Sequence, residues 1–258
     1  MTRPHYLRFP HPLAANALPW TAYPLAAGFF QRDAQRLAQD LLGCVIRFKH
    51  PSGLWLSARI IETEAYYLAE KGSHSSLGYT EKRKALFMPG GTIYMYYARG
   101  KDSINFSAQG PGNAVLIKSG FPYFDQASPQ ALCLPQMQAN NPPANPAAGP
   151  RPLERLCAGQ TLLCRSLGLT VPEWDAQAFD YQRLFVEDCG LLPSQIIRTR
   201  RLGIPQGRDE HLFYRFVDAD FARFATQNPL RRGQLEGLDY TVIPSYEYAC
   251  PPYRMAKC

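Results

Sequence analysis

The sequence predicts a single α+β domain built on an antiparallel sheet. Three observations support this class. One amphipathic helical segment lies near the N-terminus, and short strand-like runs separated by Gly and Asp turns follow it. The same mixture of patterns then continues beyond a proline-rich stretch. With 258 residues, 46% of them hydrophobic, the chain can bury a sizeable core and is not a mostly disordered protein.

The first helix is predicted in the segment FFQRDAQRLAQDLLG. Asp33 can cap its N-terminus, apolar residues recur at helical spacing from Ala34 to Leu42, and Gly43 can end it. Strand-like runs follow in CVIRF, LWLSARIIETEAYY, GTIYMYYA, SINFSA and NAVLIKS. The turn MPGGT sets the start of the third run at Ile93. Tight hairpins are therefore expected between these strands.

The second half of the chain begins with residues 135–152, which contain six prolines and predict an exposed loop. The segment AGQTLLCRSLG then predicts a short helix between Gly159 and Gly168. Two more strands are expected in IIRTRRLGI and HLFYRFV, whereas the aromatic and proline-rich C-terminal segment from Leu238 onward matches no pattern. No internal repeat is present.

Composition favours an intracellular protein of the cytoplasm, because no apolar run approaches ~18–20 residues and the N-terminus lacks a secretory pattern. Seven cysteines without a CxxC pair indicate buried thiols rather than a zinc or redox site, so we expect no metal and no cofactor.

The net charge of +7 is unevenly distributed. Between positions 71 and 101 there is a single acid, Glu81, and a first basic cluster of six residues: Lys71, Lys82, Arg83, Lys84, Arg99 and Lys101. A second basic cluster consists of Arg198, Arg200, Arg201 and Arg208. Each cluster alone is explained by a solvated surface. Together they favour a polyanionic partner such as nucleic acid.

The run ETEAYYLAEKGSHS carries the candidate chemistry. Strand alternation places seven residues of this region on one face, apolar at one end and acidic at the other: Leu54, Leu56, Ala58, Ile60, Glu62, Glu64 and Tyr66. The acidic end either meets water or lines a site. His74 follows in a Gly/Ser-rich turn, and the next strand brings Tyr94 and Tyr96 to a common face. These side chains could form a pocket for a flat base.

Five segments in this order, ARIIETEAYY, GSHSS, FMPGGTIYMYY, INFSAQGPGNAVLIK and LCAGQTLLCRSLGL, resemble the alkyladenine (3-methyladenine) DNA glycosylase family. The resemblance covers residues 28–120 well and 153–217 more loosely. It implies a curved antiparallel sheet flanked by helices, with a protruding hairpin that wedges into DNA. It assigns residues 26–224 to the glycosylase domain, with extensions at 1–25 and 225–258.

The resemblance also implies hydrolysis of the bond between a damaged purine and its deoxyribose in double-stranded DNA by a monomeric enzyme. The damaged nucleotide is flipped into a pocket. Glu64 matches the general base, Tyr66 and Tyr96 the two plates around the base, and His74 the group at its edge. Asn105 matches the asparagine that crowds the 2-amino group of guanine. Glu62 is expected to have a supporting role.

Two positions depart from the family pattern. Arg99, before Gly100, stands where the family has a wedging tyrosine, and Tyr97 is the alternative wedge. Lys118 stands where the family has an arginine that positions water, and it keeps the charge without the planar fork.

Further DNA contacts are expected from Lys82, Arg83, Lys84 and the backbone near Gly159. Two other function classes stay open: a non-catalytic binder of damaged or distorted DNA, and a glycosidase for free nucleosides or sugars. Glu64 argues against the first, and the basic clusters argue against the second.

Overall fold

Nine strands form one antiparallel sheet in the computed structural model, which describes residues 22–244. The strands are β1 Val45–Lys49, β2 Trp55–Tyr66, β3 Ile93–Ala98, β4 Lys101–Ser107, β5 Ala114–Pro122, β6 Leu184–Glu187, β7 Gln195–Thr199, β8 Arg215–Asp218 and β9 Tyr240–Pro244. The sheet order is β3-β4-β5-β2-β8-β7-β9, and β1 lies between β2 and β6. The long strand β2 therefore pairs with β5 along one edge and with both β1 and β8 along the other.

The described α-helices are α1 Ala34–Asp40, α2 Gln130–Asn140, α3 Gln160–Leu167 and α4 Val171–Trp174. Short 3₁₀ segments connect them to the sheet: Ala27–Phe30, His74–Leu77, Glu81–Phe87, Pro146–Ala148, Leu153–Arg155 and Ala219–Phe224. The predicted α+β class is confirmed, as are the strands predicted before residue 125 and the short helix α3 between its two glycines.

Helix α1 forms where the sequence predicts it. The Asp33 carboxylate accepts hydrogen bonds from the backbone N–H groups of Gln35 and Arg36, which caps the helix. Leu37 and Leu41 are fully buried in the main core, and each such leucine stabilises the fold by about 1.5–3 kcal/mol. Gly43 follows the helix at a φ of +82°, where a Cβ would lie 1.7 Å from the carbonyl oxygen of Leu191. Only glycine fits this exit.

The pairing of β2 with β5 contains two bulges. Ile60 lies opposite Gly120, and Glu62 lies opposite Ser119, so Ile61 is an extra residue on β2. The next register step skips a residue on β5 instead. A bulge inserts one residue into the period-two alternation and bends the strand.

These bulges correct the predicted face of β2. Ile60 belongs to the main core, and after the inserted residue Ala65 does too. Glu62 and Glu64 therefore face the opposite side of the sheet from Ile60, although uninterrupted alternation predicts one common face. The acids do not continue the apolar face of β2, because the bulge turns them away from the core.

The predicted proline-rich loop is wrong in its first third. Residues 135–140 are the second half of α2, and Pro135 lies inside that helix. Cys133 and Met137 on α2 are fully buried, and this apolar burial offsets the backbone hydrogen bond that Pro135 cannot donate. Asn141, which ends the helix, is also buried and donates to the Leu156 carbonyl and the Ser166 hydroxyl.

The C-terminal strands differ from their predicted lengths. The run IIRTRRLGI is extended only as far as Thr199, and the run HLFYRFV only from Arg215. Strand β9, in the segment without a predicted element, pairs with β7. The sheet thus continues past residue 224. The N-terminal extension up to residue 21 and the tail after residue 244 lie outside the described residues.

Five cysteines in the described residues are in no disulfide, and four of them are fully buried: Cys44, Cys133, Cys157 and Cys164. Cys189 is partly exposed, and Cys250 and Cys258 lie outside the described part of the chain. Among residues 22–244, no helix has the length and apolar character needed to cross a membrane.

Candidate active site

A cavity of about 860 Å³ opens where the loop at His74, the β3–β4 hairpin, strand β5, the start of α3 and the loop after β7 meet. Eight of the predicted site residues line it: Tyr66, His74, Tyr96, Tyr97, Arg99, Asn105, Lys118 and Gly159. The other predicted residues, Glu64, Gly100, Lys82, Arg83 and Lys84, lie outside its lining. Segments far apart in the sequence therefore converge on one concave site.

Glu64 lies directly behind the cavity wall. Its side chain is completely buried and accepts hydrogen bonds from the Tyr66 hydroxyl at 2.7 Å and the Leu202 backbone N–H at 2.9 Å. The ammonium group of Lys118 is 3.5 Å from Oε1. All three partners line the cavity, so the carboxylate is one layer from it. Two hydrogen-bond donors and a cation are thus directed at its oxygens.

Lys118 reaches Glu64 because of the second bulge. Ser119 pairs with Glu62 and Ile117 with Thr63, which leaves Lys118 as the extra residue on β5. Its side chain is 12% exposed, and it lines the cavity. Bulges commonly redirect a side chain beside an active site. Lys118 is thus aimed at Glu64 by a backbone irregularity that cannot be read from residue spacing.

Glu62 faces the same side of the sheet as Glu64 but has other partners. One carboxylate oxygen accepts from the Arg215 guanidinium at 2.5 Å. The other accepts from the Ser119 hydroxyl at 2.6 Å and the Thr226 backbone N–H at 2.8 Å. Glu62 is fully buried, and both of its oxygens accept hydrogen bonds. This arrangement suits the supporting role expected from the sequence.

Aromatic rings form one wall of the cavity. The His74 and Tyr96 ring centroids are 4.4 Å apart with an edge-to-face geometry, and Tyr94 stacks against Tyr96 at 5.6 Å. The Tyr94 hydroxyl is 3.2 Å from Nδ1 of His74. The sequence placed Tyr94 beside Tyr96 on one face of β3, but the family resemblance gave it no role. It anchors the imidazole that the sequence did identify.

Asn105 sits opposite Tyr94 in the β3–β4 pair. Its side chain is 5% exposed, and its amide Nδ2 donates to the Tyr94 carbonyl at 3.1 Å. This bond fixes the side chain at the cavity wall. A bulky group on a bound ring that approached this point would meet a side chain that cannot easily move.

The hairpin tip is a two-residue turn formed by Arg99 and Gly100. Both have positive φ, +51° and +75°, as a type I′ turn requires, and Ala98 pairs with Lys101 across it. Tyr97 is 56% exposed, which matches its expected direction away from Tyr96. Both candidate wedge residues therefore lie at the cavity edge.

The predicted basic clusters are partly used inside the protein. Arg83 donates to the carbonyls of His74 and Leu77, which holds the 3₁₀ segment that carries His74. The Lys84 ammonium is 3.7 Å from the Glu81 carboxylate. In the second cluster, Arg201 is only 4% exposed, so it cannot contact a phosphate from this position. Lys82 is exposed.

Gly159 immediately precedes α3 and lines the cavity with the first three residues of that helix. The N–H groups of a first helical turn lack partners within the helix. Thr226 also lines the cavity, and its Oγ1 is the closest atom to a Cβ built on Gly159, at 4.0 Å. The N-terminus of α3 and the segment after β8 therefore form one edge of the site.

The ionisation of His74 can be predicted from its surroundings. Burial, followed by the positive charges of Arg83 and Arg208, lowers the pKa of His74 below its ordinary value of 6.5. The imidazole is therefore neutral at pH 7. The folded state binds this proton less readily than the unfolded chain. The contribution of the His74 ring to the free energy of unfolding is thus complete above pH 6.5. It is lost as the pH falls from 6.5 to the lower pKa of the folded state.

An NMR titration of the His74 ring should give a midpoint below 6.5, and Arg83→Gln should raise it. The matched control is Lys82→Gln, because Lys82 precedes Arg83 in the chain and its side chain is exposed. This substitution should leave the midpoint unchanged. A wild-type midpoint at or above 6.5 would contradict the effect of burial and of the two arginines.

Comparison with known proteins identifies the family to which this site belongs. A family model described as methylpurine-DNA glycosylase (MPG) matches residues 28–222. The chain belongs to the methylpurine-DNA glycosylase family. It is a DNA glycosylase, a hydrolase of base excision repair. The matched range contains every predicted site residue, whereas Thr226 and β9 lie beyond it.

Individual relatives agree with this assignment. A protein of Pseudomonas savastanoi pv. phaseolicola is 72% identical over 83% of this chain and 95% of its own length. One from Pseudomonas aeruginosa is 65% identical over 88% of this chain and 94% of its own. A protein of Methanoculleus marisnigri is 29% identical over 72% of this chain and 91% of its own. All three bear the name "Putative 3-methyladenine DNA glycosylase".

Proposed function

We propose that this glycosylase hydrolyses the N-glycosidic bond of alkylated or deaminated purines in double-stranded DNA. The proposed lesions are 3-methyladenine, 7-methylguanine, hypoxanthine and ethenoadenine, and the product is an abasic site. The observation that carries the proposal is the buried Glu64 carboxylate, held by Tyr66, Leu202 and Lys118 behind the wall of an aromatic cavity.

The first step is base flipping, because C1′ and the purine are inaccessible inside a duplex. Unstacking a nucleotide costs a few kcal/mol, least for a damaged base. Tyr66 and Tyr96 on the cavity wall supply aromatic faces for the flipped purine. Stacking on such faces contributes about 1–3 kcal/mol per base. An electron-poor alkylated ring gains further from the electron-rich tyrosines.

Glu64 then serves as the general base. A carboxylate has about four acceptor positions, and the hydrogen bonds from Tyr66 and Leu202 occupy two of them. At 3.5 Å, Lys118 lies beyond the length of a charge-assisted hydrogen bond, which leaves an acceptor position on Oε1. In the proposed reaction, a water molecule passes the cavity wall to this position and gives its proton to Oε1. The water oxygen bonds to C1′, the C1′–N9 bond breaks, and its electron pair leaves with the purine.

The charge on Glu64 also stabilises the oxocarbenium character that develops at C1′ in the transition state. A cationic purine leaves as a neutral base without further protonation, whereas hypoxanthine requires a proton. The Lys118 ammonium lies 3.5 Å from Glu64 Oε1. From there it attracts the carboxylate and orients the attacking water. Asn105, held by its bond to the Tyr94 carbonyl, disfavours guanine by crowding its 2-amino group. 7-Methylguanine carries the same group, but its cationic ring is already a good leaving group.

The test uses duplexes that each carry one of the four lesions, with an undamaged duplex as the control. The wild-type protein should release the damaged base and leave an alkali-labile abasic site, and the undamaged duplex should stay intact. Release of no base from any lesion, together with retained binding to the same duplexes, would favour the alternative of a non-catalytic binder of damaged DNA.

Arg99 is the proposed wedge, because it occupies the tip of the two-residue turn at the cavity edge. Arg99→Ala should lower the fluorescence gain of a flipped 2-aminopurine by about tenfold, since the gap in the duplex is no longer filled. Affinity for undamaged duplex should fall only slightly. The slope of log affinity against log salt concentration should decrease by about the amount that one phosphate contact contributes.

Two matched variants complete the wedge experiment. Lys101→Ala, at the start of β4 directly after the turn, removes a charge without removing the proposed wedge, and it should leave flipping unchanged. Tyr97→Ala tests the alternative wedge. Equal loss of affinity for damaged and undamaged DNA in Arg99→Ala would make Arg99 a phosphate contact only, and loss of flipping in Tyr97→Ala alone would move the wedge to Tyr97.

A further inference from the structure

A buried arginine lies behind one of the tyrosines of the cavity wall. The guanidinium of Arg201 is 4.5 Å from the Tyr66 ring centroid and 5.5 Å from that of Tyr214. Its side chain has no exposed surface, and it is absent from the cavity lining, whereas Tyr66 lines the cavity. The cation therefore stacks on Tyr66 from the protein side.

The polar contacts of Arg201 are few for a buried guanidinium. Nη1 donates to the Ala65 carbonyl at 3.0 Å and pairs with the Glu70 carboxylate. Nε and Nη2 are buried and have no hydrogen-bond partner within residues 22–244. Unpaired donors at a buried cation are unfavourable. The aromatic rings of Tyr66 and Tyr214 are the groups that compensate, because a cation is attracted to an aromatic face most strongly when both are desolvated.

Tyr66 is held at two points by this arrangement. Arg201 contacts its ring, and its hydroxyl donates to Glu64 at 2.7 Å. The residue after Arg201, Leu202, donates its backbone N–H to the same carboxylate. One short segment after β7 therefore supports both the aromatic plate and the general base.

We propose that Arg201 is a positioning residue that fixes Tyr66 and biases the glycosylase towards neutral damaged purines relative to cationic ones. The inference rests on the proposed function, in which Tyr66 stacks on the flipped base. A ring that already holds a cation on one face attracts a second cation on the other face less strongly, since the two charges repel through it. A neutral purine is not subject to this repulsion.

Glu70 reduces the field of Arg201 without removing its effect on Tyr66. The Glu70 carboxylate pairs with Nη1 at the edge of the Arg201 guanidinium, whereas the Tyr66 ring lies against the guanidinium itself, with Cζ 4.5 Å from the ring centroid. Replacement of Arg201 alone would leave Glu70, itself 7% exposed, as a buried carboxylate without its partner. The informative variant is therefore the charge-balanced double substitution Glu70→Gln with Arg201→Met.

The experiment measures single-turnover release of 7-methylguanine and of hypoxanthine from otherwise identical duplexes. In the double variant, the rate ratio of 7-methylguanine to hypoxanthine should rise about fivefold over the wild type, the size expected for a partly desolvated cation–π contact. Arg201→Lys keeps the cation and should stay near the wild-type ratio. Arg200→Met is the matched control, because the neighbouring Arg200 is 46% exposed and stacks on Phe213 instead.

An unchanged ratio in the double variant, with both rates lowered equally, would overturn the proposal and reduce Arg201 to a structural role. If this double variant does not fold, Glu70→Gln with Arg201→Gln, which also removes both charges, replaces it with the same expected rise. Release of neither base by the wild type would overturn the proposed function itself, which separates that failure from an unchanged ratio in an active enzyme.

Discussion

Glu64→Gln is expected to lower the single-turnover rate of base release by about a thousandfold, within the range for loss of a general base. Glutamine has nearly the same shape, so its amide oxygen can still accept the Leu202 N–H bond that Glu64 accepts at 2.9 Å. It cannot take a proton from water, and it brings no negative charge to stabilise C1′. Affinity for a lesion-containing duplex should not fall.

The control for this substitution is Glu62→Gln, two residues away on the same strand. Glu62 binds Arg215, Ser119 and Thr226, and none of these hydrogen bonds involves Tyr66 or Lys118. Chemistry should therefore persist in any Glu62→Gln protein that remains folded. Full activity in Glu64→Gln would refute the assignment of the base. Equal losses in both variants would show that the site had been disturbed as a whole.

Arg215→Met is expected to lower the free energy of unfolding by about 3–5 kcal/mol, the loss typical when one partner of a buried ion pair is removed. Glu62 has no exposed surface, and the Arg215 guanidinium is 2.5 Å from its Oε1. Methionine fills similar space but leaves the carboxylate charged and short of a donor. Urea unfolding monitored by circular dichroism measures the loss.

The double variant Arg215→Met with Glu62→Gln separates lost pairing from lost packing. Because it removes both charges, it should recover most of the stability lost in Arg215→Met. A double variant as unstable as the single one would mean that packing, or the bond from Arg215 Nη2 to the Gln227 carbonyl, accounts for the loss instead.

Local patterns predicted much of the architecture. A capping aspartate, helical apolar spacing and a terminating glycine predicted α1, and alternating runs with glycine turns predicted β1 to β5. These features depend on residues close together in the chain, whose backbone preferences hold in any tertiary context. The proline-rich stretch gave a partly wrong prediction because a tertiary effect outweighed the local one. Burial of Cys133 and Met137 stabilises α2, and the helix therefore continues past Pro135.

The candidate site shows the same division. Residue types predicted Tyr66, His74 and Tyr96, and the family resemblance added Asn105 and Lys118; all five line one cavity. Spacing could not predict which face of β2 carries Glu64, because a bulge shifts the alternation. Nor could it predict the Leu202 contact, which is made by a backbone N–H that any residue but proline would supply.

The sequence by itself determined the family, the order of the helices and strands, and the residue types available for chemistry. The tertiary structure alone decided the use of the charges. It buries Arg201 behind Tyr66, turns Arg83 inward to hold the His74 segment, and separates Glu62 from Glu64 by their partners. A residue's charge is visible in the sequence, but its partner and its exposure to water depend on segments that meet only when the sheet has formed.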